Sequence, residues 1–445
     1  MKKLIAIIVT VLVVATVVFA GCVKPAAETP TEIRIGGADS NTGIYAFFSE
    51  GGRIGVEAAI EDINSLGGVY MKEYDKKLPV RYISTNNESD VTKAGVLAES
   101  MILGDNIDLM TQGLSICILA APVATVCEKY QVPFVAASGP GEPWLGIRST
   151  IQPPWEYTWC ISFMIATPPP KGSVWDVPGI TLADSVVTWL KTMLPPKTNG
   201  VAGMYAVDDP NGRGWYEIFP KLAEDAGYTV AGVDEKLGLF PPGTKDFSSI
   251  ISKWENANVE VLLGNAPPDD TAPLLKQVWT MGFQPKAIMA GQAGISYEGV
   301  ESFGGDIPNG IVADRWWFQT FDPASHKGIA GRTPQSLAAY WVEKTGRPVN
   351  PAVGMGYSTA QVFLDALERA GTLDGPTINE MFKTSRVNTI HFSPLVFDED
   401  QFARYATCLG QWTKTDKPWV WECEPIYAPG FNVPLSEFVF PIPYD

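Results

Sequence analysis

Three observations predict an α/β protein built from two doubly wound parallel sheets. Short apolar strands alternate with amphipathic helices from residue 32 onward, a pattern that places helices on the faces of a parallel sheet. The alternation stops at Gln152-Pro153-Pro154 and at Thr167-Pro168-Pro169-Pro170, then begins again near residue 201. About 420 residues follow Cys22, too many for one hydrophobic core and suited to two.

The elements follow in order. Ile33 and Ile35 open a strand that runs into Gly36-Gly37-Ala38, and Val56, Ala59, Ile60 and Ile63 recur at i, i+3, i+4, i+7 on the helix after it. A second strand is expected at 78–84, a helix capped by Ser89 and reaching 103, a third strand at 107–113, a helix over 116–130 and a fourth strand at 132–137. The second series places strands at 201–207, 228–234, 259–265 and 287–290, with helices near 216–226, 247–256 and 272–281. The helical stretch 335–371 then returns to the first lobe. The division drawn from this is 32–157 plus 317–390 for one lobe, and 158–316 plus 391–445 for the other. In doubly wound sheets, ligands sit at the carboxyl ends of the strands.

Ahead of the folded body, Lys2 and Lys3 precede an apolar run over 4–19 that ends in Ala20-Gly21-Cys22. A charged start, an apolar stretch of signal length and small residues before a cysteine read as a lipoprotein export signal over 1–22, with cleavage after Gly21 and lipid on Cys22. The alternative is an uncleaved membrane anchor, although the run is shorter than most spanning helices and carries Phe19 three positions before the cysteine. Residues 23–31, with Pro25 and Pro30, form a spacer.

Composition narrows the partners. The chain is 46% apolar and 18% charged, as expected of a packed globular protein. Removing Lys2 and Lys3 leaves 31 basic against 49 acidic residues, a formal −18 that disfavours nucleic acid and anionic membrane surfaces. Five further cysteines stand at 117, 127, 160, 408 and 423 in a compartment that permits disulfides. Cys408 and Cys423 flank a stretch resembling a turn between strands, which predicts a bridge. Cys117 and Cys127 share a helix, about 15 Å apart, so they cannot bridge to each other.

Several runs are similar to one family. They are Ile35-Gly36 to Thr42-Gly43, then 58–69 (Ala-Ala-Ile-Glu-Asp-Ile-Asn-Ser-Leu-Gly-Gly-Val), Gly113-Leu114-Ser115-Ile116-Cys117 to Pro122, and Val132-Pro133-Phe134. Asp208-Asp209-Pro210-Asn211-Gly212-Arg213-Gly214, Gly243-Thr244-Lys245-Asp246-Phe247-Ser248 and Met281-Gly282-Phe283 follow in the second series. In order and spacing these resemble the leucine/isoleucine/valine-binding type of periplasmic solute-binding protein. The resemblance implies the type I periplasmic binding protein fold, two lobes joined by three crossovers, here placed near 155–163, 313–318 and 389–394. It also implies closure on a small solute, delivery to the permease of an ABC importer, and no cofactor.

The resemblance extends to site residues. The loop after the third strand matches the family's carboxylate-binding segment, with Cys117 where a serine is usual; Ser115 is either a ligand group or a helix cap. Ser138 and Gly139 match the loop after the fourth strand. Phe48, with Tyr45 nearby, falls where the family packs a ring on the solute, ordinary packing between lobes being the alternative. Asn211 replaces a common tyrosine, and Gln292-Ala293 stands where the amino-acid binders carry an acid for the ammonium group. An α-ammonium would then need Asp269, Asp270 or Glu298. Trp155, Trp159, Trp316 and Trp317 cluster at the crossovers and as a group point toward an apolar or aromatic solute with a carboxylate or amide, hinge packing being the alternative for any one of them; Trp316 is the residue assigned to the ligand. Arg148 and Arg315 are candidate charge partners.

Other classes fit less well. There are two histidines, His326 and His391, without zinc-ligand spacing, and no Gly-x-Ser-x-Gly elbow or Walker loop, so neither metal nor catalysis is expected. A ligand-sensing ectodomain with a separate signalling partner is the alternative on the same fold.

Overall fold

Strand β1 (Ile33–Asp39) forms where two buried isoleucines flank Arg34 and lead into small residues, and Gly36 and Gly37 leave room for the side chains of Ile107 and Tyr82. The computed structural model describes residues 29–194, 197–416 and 418–444. The expected signal, Cys22 and residues 23–28 of the spacer lie outside the described residues. Contacts divide the chain into Met1–Glu32 and Ile33–Asp445, and every strand and helix below belongs to the second unit.

The first series gives α1 (Ala46–Ser65), β2 (Val80–Asn86), α2 (Val91–Ser100), β3 (Leu109–Ser115), α3 (Cys117–Tyr130), β4 (Phe134–Ser138), α4 (Gly141–Thr150) and β5 (Thr158–Ser162). The second gives α5 (Leu182–Thr188), β6 (Val201–Val207), α6 (Pro210–Asp225), β7 (Leu239–Phe240), α7 (Ser248–Asn256), β8 (Val261–Asn265), α8 (Pro268–Thr280), β9 (Ala287–Ala290), α9 (Gly291–Gly294), α10 (Tyr297–Glu301) and β10 (Val312–Arg315). The chain ends with α11 (Pro334–Thr345), α12 (Ala352–Ala370), α13 (Gly375–Phe382), β11 (Phe402–Arg404), β12 (Cys408–Lys414) and β13 (Trp421–Tyr427).

The first sheet has the order β11-β5-β4-β3-β1-β2 with every pair parallel. The second runs β7-β6-β8-β9-β10-β12-β13, parallel as far as β10 and antiparallel beyond it. Because β5 and β11 belong to the first sheet, the boundaries drawn from sequence move. The chain passes between sheets through 163–181, 316–333 and 405–407, later in each case than expected. The strand expected at 228–234 shrinks to Thr229–Val230, since Gly232 turns the chain at φ 66°; it pairs with the start of β6 at Val201 and Ala202, and β7 takes over the same edge at Ala206 and Val207.

Helices α1 and α12 cross backbone to backbone. A Cβ on Gly52 would strike the Leu114 amide, and one on Gly356 would strike the Gly52 carbonyl, so the glycines fix how deeply α1 seats against the end of β3. The seating sets where the first turn of α1, with Tyr45 and Phe48, meets the carboxyl edge of the sheet.

The bridge expected between Cys408 and Cys423 is absent; both thiols are free. Cys423 lies opposite Trp412, four residues along β12 from Cys408. At about 3.3 Å per residue that offset is far beyond the roughly 4 Å between Cβ atoms that a disulfide needs. Among the described residues no helix is long and apolar enough to cross a membrane, and no group of three or more histidine, cysteine or acidic side chains is placed to hold a metal.

Candidate functional site

The carboxyl ends of β1 and β2 are tied into one rim. Asn86 Oδ1 accepts from the amides of Asn41, Thr42 and Glu88, while Ser40 Oγ donates to Asn87 Oδ1 at 2.7 Å and the Ser40 amide donates to Ser49 Oγ at 2.7 Å. Ser89 does not cap α2; Asp90 does, accepting from the Lys93 amide. Ser89 Oγ instead receives the Tyr45 amide at 3.2 Å and donates to the Thr42 carbonyl at 3.0 Å. These bonds hold Tyr45 and Phe48 at the start of α1, both half-buried.

Beside them, Ser115, Cys117, Ser138 and Gly139 come together, but they face one another. The Cys117 thiol donates to the Pro140 carbonyl at 3.1 Å and receives Ser138 Oγ at 3.4 Å, and the Gly139 amide donates to the Ser115 carbonyl at 3.3 Å. Burial pushes the Cys117 thiol up to about 11, so it stays a neutral donor. Ser138 is fully buried. Ser115 is not a cap: the N-cap of α3 is Ile116, with no side-chain bond. What this loop can offer a solute is the α3 start, whose first N–H groups have no intrahelical acceptor.

Opposite stands Trp316, the first residue after β10. Its ring lies 5.6 Å from Phe48 and is stacked 6.0 Å from Phe163, which in turn covers Gly139, where a Cβ would sit 2.8 Å from the Phe163 ring. Trp316 is 5% exposed, and its indole N–H has no hydrogen-bond acceptor among the described residues. Phe163 was not singled out in the sequence; placing the end of β5 at Ser162 would have found it by the carboxyl-end rule.

The other tryptophans at the crossovers belong to the interior. Trp159 donates to Asn379 at 2.7 Å, Trp317 to the Ile390 carbonyl at 3.2 Å, and Trp155 packs on Trp144 at 5.1 Å. Arg148 is spent on the Trp155 carbonyl and Gln401 near the amino end of β5, away from the carboxyl edges. Arg315 is buried, donates to the Ile295 carbonyl and lies over Trp412 and Phe318.

From the second sheet, Asn211 is exposed on the first turn of α6, and Gln292 is half-buried at the start of α9 with its amide on Asn265 Oδ1 at 3.3 Å. Asp270 accepts from the Gly243 amide at 2.7 Å, Asp269 is exposed, and Glu298 faces Arg347 at 3.5 Å. The carboxylate whose charge acts on Tyr45 is Asp209. It caps α6 through the Gly212 amide and, after burial, is the cause that raises the Tyr45 phenol above its ordinary range. Arg347 also pairs with Glu50 at 2.6 Å, so one guanidinium bridges α1 and α10.

With this geometry in place, comparison with known proteins is decisive at the level of family, because residues 32–417 match the periplasmic binding protein family. The chain belongs to that family. A curated relative, the Leu/Ile/Val-binding protein homolog 3 of Brucella melitensis, is 26% identical over 362 residues, covering 81% of this chain and 85% of its own. Among solved structures, a leucine-binding protein from Thermotoga maritima superposes with a TM-score of 0.64 at 18% identity, over 88% of this chain and 97% of that one. A solute-binding protein of an ABC transporter from Rhodopseudomonas palustris, in complex with 3,4-dihydroxybenzoic acid, gives 0.62 at 14% identity, over 91% and 99%. These likenesses show the type I periplasmic binding protein fold. Membership makes the chain an extracytoplasmic solute-binding protein.

Proposed function

We propose that this binding protein captures a flat, largely apolar carboxylate or amide between its two sheets and delivers it to an ABC importer permease while tethered by lipid on Cys22. The observation that carries this reading is Trp316. Its ring stands between Phe48 and Phe163 where the two carboxyl edges meet, and its buried N–H lacks an acceptor. A buried donor left unpaired costs about 1–3 kcal/mol, which a solute oxygen placed there would recover. The α3 start supplies further N–H groups for an anion. The relative from Rhodopseudomonas palustris holding an aromatic acid supports the class, at the level of fold alone.

A second reading, a branched-chain amino acid, is favoured by the name of the Brucella melitensis relative and by Asp209, a carboxylate whose charge acts on Tyr45. A thermal-shift screen of the purified protein separates the two. Benzoate, 3,4-dihydroxybenzoate, phenylacetamide, leucine and isoleucine are each added in excess. A solute at a hundred times its dissociation constant adds about 2.7 kcal/mol. A shift with the aromatic acids or the amide and none with leucine or isoleucine supports the first reading, and the reverse pattern removes it. The tether is checked separately by mass: labelling of the parent protein but not of Cys22→Ala by a clickable fatty acid is the expected result.

A further inference from the structure

The family match ends at residue 417, yet the chain continues through β13 and an extended tail whose described part reaches residue 444. This tail is fastened along its length. The Asn432 carbonyl receives the Asp322 amide at 2.9 Å, the Val439 amide donates to Gln411 at 2.8 Å, and Tyr444 packs on Trp279 with ring centroids 4.8 Å apart. Between β13 and these ties, Phe431 enters the junction of two segments, 316–333 and 388–394. Its ring stacks on Phe321 at 4.7 Å and on His326 at 6.0 Å, meets Phe392 edge-on at 5.4 Å and lies 5.6 Å from His391.

Both histidines of the chain are therefore under one side chain, and each makes a defined bond. His326 Nδ1 lies 2.6 Å from the His391 carbonyl, and His391 Nε2 lies 2.7 Å from the Trp316 carbonyl. A carbonyl only accepts, so each of these ring nitrogens carries the proton and donates. The contacts run without a gap from the tail to the cleft: Phe431, then His391, then the backbone of the residue whose ring stands between Phe48 and Phe163. We infer that Phe431 is a positioning residue for the solute site, setting Trp316 through His391. The inference rests on the cleft reading above only for its effect on binding; the tie itself is independent of any solute.

The test uses the whole protein carrying 5-fluorotryptophan, whose 14 tryptophans give separate fluorine lines, with the Trp316 line assigned by its loss in Trp316→Phe. Phe431→Ala is expected to move the Trp316 line, Phe431→Leu to return it at least half way, and Tyr444→Ala, which loosens the tail far from the histidines, to leave it in place. With 3,4-dihydroxybenzoate and leucine as probes, Phe431→Ala should weaken whichever binds by roughly two- to thirtyfold, the range typical of residues that act through others. A Trp316 line unmoved by Phe431→Ala overturns the inference, as does a line moved equally by Tyr444→Ala. A line that moves in Phe431→Ala, but with no probe in the parent protein, upholds the tie and overturns the cleft reading instead.

Discussion

Two parts of the cleft wall stand side by side and treat their polar groups in opposite ways. In the loop of Cys117, Ser138 and Gly139, the thiol, the hydroxyl and the amide are spent on the Pro140 carbonyl, Cys117 Sγ and the Ser115 carbonyl, which ties two strand ends together. In the ring set of Phe48, Phe163 and Trp316, the surroundings are apolar and the single strong donor, the Trp316 indole N–H, is buried without an acceptor. Satisfied groups contribute to stability and have little left for a solute; an unsatisfied one gains by binding. On the function proposed above, the side chains of the loop serve structure and the rings recognition, with only the backbone N–H groups of the α3 start left to the solute, whereas the family pattern read from sequence put both sets of side chains in contact with it.

Substitutions can break that contrast, beginning with the largest effect. Trp316→Ala removes a buried ring between two others and should lose about 3–5 kcal/mol of stability in chemical denaturation, together with detectable solute binding by calorimetry. Next is the tie behind the ring. Burial lowers His391 to about 3, below the 6.5 of a free imidazole. The unfolded chain therefore takes up a proton between those values that the folded chain refuses. Stability from neutral His391 is complete above about pH 6.5 and is lost as pH falls toward 3. Between about pH 7 and pH 4.5 the parent protein should lose about 2–3 kcal/mol more than His391→Gln does, measured as the difference of two urea titrations.

Gly139→Ala separates the two parts directly. The new methyl meets the Phe163 ring at 2.8 Å while the hydrogen bonds of the loop remain. It should cost about 1–3 kcal/mol in thermal unfolding and weaken solute binding, although no polar partner is changed. The smallest effect belongs to the ionic bridge at the rim. Arg347→Met should change stability by less than about 1 kcal/mol, because Arg347 and its partners Glu50 and Glu298 are a third to a half exposed. Any loss of affinity it causes at low salt should fade at about 0.5 M salt, where charges are screened within a few Å.

Much of the fold was legible because it rests on local patterns. The strand and helix series and the return of α12 follow from periodicity. What failed depended on pairing between distant strands. Nothing in 158–162 or 402–404 says which sheet they join, and a single register fixes Cys423 against Trp412 rather than Cys408. Trp316, Phe48, Ser138 and Cys117 lie at the strand ends where their position in the sequence put them, but a side chain's partners are not written in its own residue type. The thiol of Cys117 turned inward to Pro140, Trp159 and Trp317 found acceptors in the interior, and Phe163 and His391 became visible only once the rings were placed.

The most direct measurement is calorimetric binding of the solute identified by the screen to Trp316→Phe and to Ser138→Ala, each beside the parent protein. Trp316→Phe keeps a ring and removes the unpaired indole donor of the ring set, so affinity should fall about tenfold; Ser138→Ala removes a bond internal to the loop and should lose about 1 kcal/mol of stability with affinity within about twofold. Loss of affinity in Ser138→Ala with none in Trp316→Phe would contradict the division of the cleft into a structural edge and a recognising one.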